Sequence, residues 1–154
     1  MKRTFITIFL LSVLAGALDA QEGMMKPPQF QVMVPSKYDF NDTVDLLKTA
    51  IEEQNLMVIT ELDIQQMLRL VGVQRKGMKK VYFFHPSFMK RIMEANKHAT
   101  AEPPLKIDIM EMPNGRVMVR YIKASHVFGE YEGLEEITKE LETSLAQILE
   151  SIQE

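Results

Sequence analysis

Apolar and polar positions alternate or recur in steps of three and four along almost the whole chain after residue 28. Phe30, Val32 and Val34 alternate with Gln31 and Met33, which is strand spacing, and Pro35-Ser36 ends the run. Asn41-Asp42 offers a helix cap before the stripe Val44, Leu47 and Ile51, and Asn55 closes that helix. Leu56 to Leu62 is rich in strand formers. Asp63 caps a short helix with Ile64, Met67, Leu68 and Val71 on one side and Gly72 at its end. A basic loop follows from Gln74 to Lys80, then an aromatic strand from Val81 to Phe84. Pro86-Ser87 starts another helix, with Phe88, Ile92 and Met93 turned inward, and Glu102-Pro103-Pro104 breaks the chain again. The last helix has the clearest period: Leu134, Ile137, Leu141, Leu145, Ile148 and Ile152 form one stripe, and the glutamates fall outside it.

Residues 105–122 predict a hairpin whose register the turn decides. Met112-Pro113-Asn114-Gly115 suits a type I turn followed by a left-handed Gly115, which makes a three-residue loop. Asp108 then faces Arg120, Ile109 faces Val119, Met110 faces Met118 and Glu111 faces Val117. A two-residue Asn-Gly turn would slide the pairing by one and mix the two faces. With the longer loop, Ile107, Ile109, Val117, Val119 and Tyr121 share the core face. Lys106, Asp108, Met110, Met118, Arg120 and Ile122 share the other. A tight hairpin among alternating helices and strands predicts an α+β fold, a single sheet with its helices packed on one face.

The first residues read differently. Met1-Lys2-Arg3 is a basic start, Phe5 to Leu14 is nearly all apolar, and small residues offer cleavage after Ala17 or Ala20. These are the parts of a secretory signal, and the apolar run is too short for a bilayer of roughly 30 Å. The expected organisation is a signal peptide over 1–20, a flexible lead-in over 21–28 and a single α+β domain over 29–154. The expected address is outside the cytoplasm: the periplasm in a Gram-negative source, the extracellular space otherwise. No stretch of the mature chain is long and apolar enough to serve as a transmembrane anchor.

The formal charge is −3, and loss of the leader makes the chain one unit more acidic. An acidic domain lacks the cationic field that tracks phosphate backbones, so no nucleic-acid partner is expected. Cysteine is absent, which removes disulfides, thiolate metal sites and thiol nucleophiles. There is also no nucleophile elbow and no phosphate-cradling glycine loop.

Three constellations carry what chemistry remains. Glu111, placed on the apolar face by the hairpin register, joins Asp63 and His85 as candidates for an acid/base site at the strand ends. Against this, a carboxylate at a hairpin rim and a histidine beside a helix start have plain structural uses. His85 with Met110 and Met118 is a candidate soft-metal site, since thioethers and imidazole bind copper, and a haem carrier is a related possibility. Methionine is more often an adaptable filler or interface residue, and the chain has 12. The basic loop with Arg75, Lys76, Lys79 and Lys80 reads either as a solvated turn or as an anion or headgroup contact. The residues set aside for ligand or partner binding are His85, Met110, Met118, Arg120 and Ile122.

At this point the chain resembles a known group, the family of domain of unknown function 302. Four pieces carry the resemblance, from about Tyr38 to the C-terminus: Glu61-Leu62-Asp63, the strand Val81 to Phe84 running into His85-Pro86, Pro104-Leu105 leading into a strand that ends at Glu111, and Gly115 to Tyr121. The resemblance implies a fold similar to the TATA-binding-protein-like α+β class, often dimeric, and no established activity. Many members look like Cys-Asn-Pro where this chain has Phe84-His85-Pro86, others like Gly-Asn-Pro, and many like Pro-Cys at Pro104-Leu105. Thiol chemistry of such relatives is not available here. The expected function is therefore an exported ligand- or partner-binding protein acting as a homodimer. A copper or haem carrier and a small acid/base enzyme stand as alternatives, and no cofactor is named.

Overall fold

A computed structural model describes residues 27–153; the expected signal peptide over 1–20 and most of the lead-in lie outside them. The elements run β1 (Gln31–Pro35), α1 (Phe40–Glu53), β2 (Met57–Asp63), α2 (Ile64–Leu70), β3 (Met78–Phe84), α3 (Pro86–Ala95), a 3-10 turn (Lys97–Ala101), β4 (Leu105–Glu111), β5 (Val117–Ile122), α4 (Ala124–Phe128) and α5 (Glu135–Glu150). The strands form one five-stranded sheet in the order β1-β5-β4-β3-β2, and every neighbouring pair is antiparallel. The fold is α+β.

The hairpin has the expected register. Asp108 lies opposite Arg120, Ile109 opposite Val119, Met110 opposite Met118 and Glu111 opposite Val117. Met112 N–H donates to Arg116 O at 2.8 Å, and Gly115 takes φ +83°, a conformation that costs glycine little. One parity of residues then faces the helices. Val81, Phe83, Ile107, Ile109, Val117 and Val119 are buried with Leu47 and Ile51 of α1, Ile92 of α3, Phe128 of α4 and Leu141, Leu145 and Ile148 of α5 in one core. Each such side chain contributes about 1.5–3 kcal/mol by leaving water. The segment after β1 is tied to the end of the domain, since Lys37 N–H donates to Ile152 O at 3.0 Å, and to β5, since Ser36 N–H donates to Val117 O at 2.9 Å.

Several expectations need correction. The cap of α1 is Asp39, whose carboxylate accepts from Asp42 N–H at 3.0 Å, and the helix begins at Phe40. The strand β3 begins at Met78, so Lys79 and Lys80 belong to the sheet and not to a loop. Both lysines are neutralised across strands, Lys79 by Glu61 at 2.6 Å and Lys80 by Asp108 at 3.0 Å. Met93 points outward from α3 while Phe88 and Ile92 point in. The largest departure is α2: it has no buried residue, and its Met67 and Leu70, with Val71 and Val73 after it, face solvent.

Candidate functional site

The sheet face away from the core is the chemically distinctive surface. Its centre is Asp108, which is buried while its cross-strand partners Lys80 and Arg120 are only partly covered. Arg120 donates to Asp108 Oδ2 from Nη2 at 2.7 Å and from Nε at 3.2 Å, a geometry set by the cross-strand pairing of the two residues. Lys80 Nζ approaches Oδ1 to 3.0 Å from the other side, but Oδ1 has no well-directed hydrogen bond, so that contact is electrostatic. One carboxylate thus ties together β3, β4 and β5, and it carries a cation on each flank.

Beside this network the strands place methionines in register. Met110 lies opposite Met78 on one side and Met118 on the other. Met33, opposite Arg120, has the same facing. Met118 is buried under its neighbours, while Met33, Met78 and Met110 are only partly covered. The segment between α2 and β3 and the tip of the β4–β5 hairpin rise around them and enclose a hollow of about 550 Å³. Its cations are Arg75, Lys76 and Arg120, and its one carboxylate is Glu111. Glu111 pairs with Lys76 at 3.4 Å and accepts from Gly77 N–H at 3.4 Å.

On the helix-facing side, Glu61 sits between Lys79 at 2.6 Å and Lys48 of α1 at 3.2 Å. The hydrogen bond from Lys79 holds its carboxyl below the usual range; burial pulls the other way, and Lys48 adds to the lowering. Tyr121 is pushed above 10.0 by burial, with Glu142 adding to it.

The sequence profile of the family described as domain of unknown function DUF302 matches residues 32–152, well over half of the chain. The chain belongs to the DUF302 family. Among solved structures, it is similar to the crystal structure of an uncharacterized conserved DUF302 protein from Bacillus stearothermophilus. The TM-score is 0.74 and the identity 20%, over 81% of this chain and 99% of that one. At that identity the likeness speaks to the fold. No curated protein matches the chain.

In this DUF302 domain the expected acid/base group does not come together. Asp63 pairs with Lys79 at the start of β3, whereas His85 follows Phe84 at its end. Six residues at about 3.3 Å each put roughly 20 Å between them. Glu111 lies near the Asp63 end but across β3 from it, held by Lys76 and Gly77. Asp63 is occupied as the cap of α2, accepting from Gln66 N–H at 2.8 Å. The same separation parts His85 from Met110 and Met118, so the expected copper or haem ligands of the DUF302 domain are not neighbours. His85 has a structural duty: Nδ1 accepts from Ser87 N–H at 3.1 Å and caps α3. A neutral ring then carries its proton on Nε2, the nitrogen that a metal would need bare. His126 stacks on Phe30 with ring centroids 4.1 Å apart, and the His98 backbone N–H is bound by Asn96. Among the described residues no three His, Cys, Asp or Glu side chains gather as for a metal ion.

Met110, Met118 and Arg120 share the open face as expected, and Ile122 lies on it further along β5. Met78 and Met112 of the hollow escape a reading of the sequence, because strand order alone brings them to Met110; Arg75 and Lys76 belong to the basic loop for which the sequence offers an anion contact, and that loop lines the same hollow. The alternation of Met78, Lys80 and Tyr82 was the available signal for Met78.

Proposed function

We propose that the protein is a non-catalytic binding module that works as a homodimer, its subunits joined along the β2 edge and its ligand face being the open side of the sheet. The observation that carries the dimer is the placement of exposed apolar side chains. Of the nine large hydrophobics that face solvent among the described residues, seven belong to β2, α2 and the segment after it: Met57, Ile59 and Leu62 on β2, Met67 and Leu70 on α2, and Val71 and Val73 just after it; Met93 of α3 lines one groove with Ile59. Leu70 is 84% exposed, Val71 73% and Ile59 54%. Exposed apolar side chains concentrated along one edge strand and the helix that follows it mark an interaction site more than scattered ones do. The patch also includes an edge strand, since β2 ends the sheet and has unpaired backbone groups along one side. Two copies of one antiparallel edge are self-complementary about a two-fold axis. The other edge, β1, ends in a proline, which withholds a backbone donor.

The open face suits a different role. It was expected to hold the partner surface, through Met110, Met118, Ile122 and Arg120. A two-fold contact there would bring together two faces that each carry Lys80, Lys106 and Arg120 around a single Asp108, an unfavourable meeting of like charge. Local positive charge on an acidic chain favours an anionic ligand there instead.

Sedimentation of the mature protein tests the dimer. A dimer is expected at micromolar concentration, and Ile59→Asp combined with Leu70→Asp is expected to yield folded monomer. A wild-type monomer, or a variant that stays dimeric, overturns the assignment.

A further inference from the structure

The hollow between β3, the β4–β5 turn and β1 has a composition that specifies a ligand class. This step rests on the open face being the ligand face. The floor is thioether: Met33, Met78 and Met110, with Met112 at the hairpin end. Unbranched methionines adapt to a flexible apolar chain better than branched or aromatic residues do. The wall opposite the hairpin is Arg75-Lys76-Gly77. Arg75 has no ion-pair partner among the described residues; only its backbone carbonyl is engaged, by Gln65 Nε2 at 2.8 Å. Lys76 is held by Glu111 at 3.4 Å and is half exposed, so it can turn toward an incoming anion. The volume, about 550 Å³, falls within the roughly 300–1,000 Å³ of small-molecule sites.

We propose that this hollow binds a small amphipathic anion, an apolar chain with a carboxylate or phosphate head. The chain lies on the methionine floor and the head sits between Arg75 and Lys76. Arg120 stays with Asp108 and supplies field rather than contact. The other sizeable apolar groove, about 460 Å³ and lined by Ile59, Phe84, Met89 and Met93, is a weaker candidate. Its one cation, Lys90, already faces Glu94 at 3.8 Å, and Ile59 and Met93 fall within the proposed dimer contact.

Methionine methyl groups report the site directly. In protein labelled at the methionine methyls, dodecanoate below its aggregation concentration is expected to shift Met33, Met78, Met110 and Met112, with signals assigned by single Met→Leu variants. Dodecyltrimethylammonium, with the same tail and the opposite head, is expected to leave them unmoved. Arg75→Glu is expected to weaken dodecanoate binding by about tenfold or more, as loss of a hydrogen bond to a charged group does. Arg75→Gln, a milder surface change, is expected to fall between. Unmoved methyls, shifts confined to Met89 and Met93, equal binding of the cationic analogue, or full affinity in Arg75→Glu would each overturn the proposal. Monomeric protein that still shifts the four methyls refutes the dimer and keeps the ligand site; a dimer with silent methyls does the reverse.

Discussion

Replacing Lys80 and Arg120 together by methionine strands the Asp108 carboxylate in the sheet. Asp108 is 7% exposed, and its two cations approach to 3.0 and 2.7 Å. Stripping the partners from a buried ion costs about 3–5 kcal/mol. The lower end applies here, because the lysine and arginine side chains are 23% and 29% exposed and water reaches the site. A loss of about 3 kcal/mol, with a urea dependence of about 1.5 kcal/mol per molar, lowers the unfolding midpoint by about 2 M. Asp108→Leu alone leaves two cations that can swing into water, and a loss of about 1 kcal/mol is expected. The triple variant Asp108→Leu, Lys80→Met, Arg120→Met removes the stranded charge and is expected to recover at least half of what the double variant loses, since apolar replacement of a whole buried ion group is often neutral. Urea unfolding at neutral pH followed by far-UV circular dichroism gives all three values. A triple variant less stable than the double would refute the reasoning, because burial of an unpaired charge would then not be the dominant cost.

Glu61→Gln is expected to cost about 1 kcal/mol at neutral pH, as two partly exposed ion pairs are lost. Because the Glu61 carboxyl is held below its ordinary 4.5 in the folded protein, its contribution is present above that value and vanishes as pH falls through the lowered one; urea midpoints for the two proteins should therefore converge in acid, and a constant gap would refute the assignment. Gly77→Ala brings a methyl to 2.7 Å from the Phe40 ring and is expected to cost about 1–3 kcal/mol by overpacking. Pairing it with Phe40→Leu should return part of that loss in thermal unfolding, and strict additivity of the two would show that the contact is not the cause.

Local chemistry was legible in the sequence, and long-range assembly was not. The turn Pro113-Asn114-Gly115 set the β4–β5 register, and with it the pairing of Asp108 with Arg120 and the shared face of Met110 and Met118, because its backbone preferences act within four residues. The stripe of α5 likewise named its buried side in advance. The start of β3 was hidden because Lys79 and Lys80 look like loop residues until Glu61 and Asp108 arrive from other strands. The grouping of Asp63, Glu111 and His85 failed for the same reason: strand order places two of them at one end of β3 and the third at the other. The exposure of α2 was invisible because its helical period resembles that of a buried helix, and a period cannot say whether anything covers it.

The strand that opens the fold is completed only by the strand that nearly closes it. Gln31 pairs with Ile122, and Lys37 is bonded to Ile152. A growing chain therefore holds β1 without its neighbour until β5 has been made, and the core lacks one wall until α5 follows. Such wiring raises the mean sequence separation of contacts, which slows folding. Removal of the last helix should thus cost more than its own contacts, since the first strand would lose its fixed end as well.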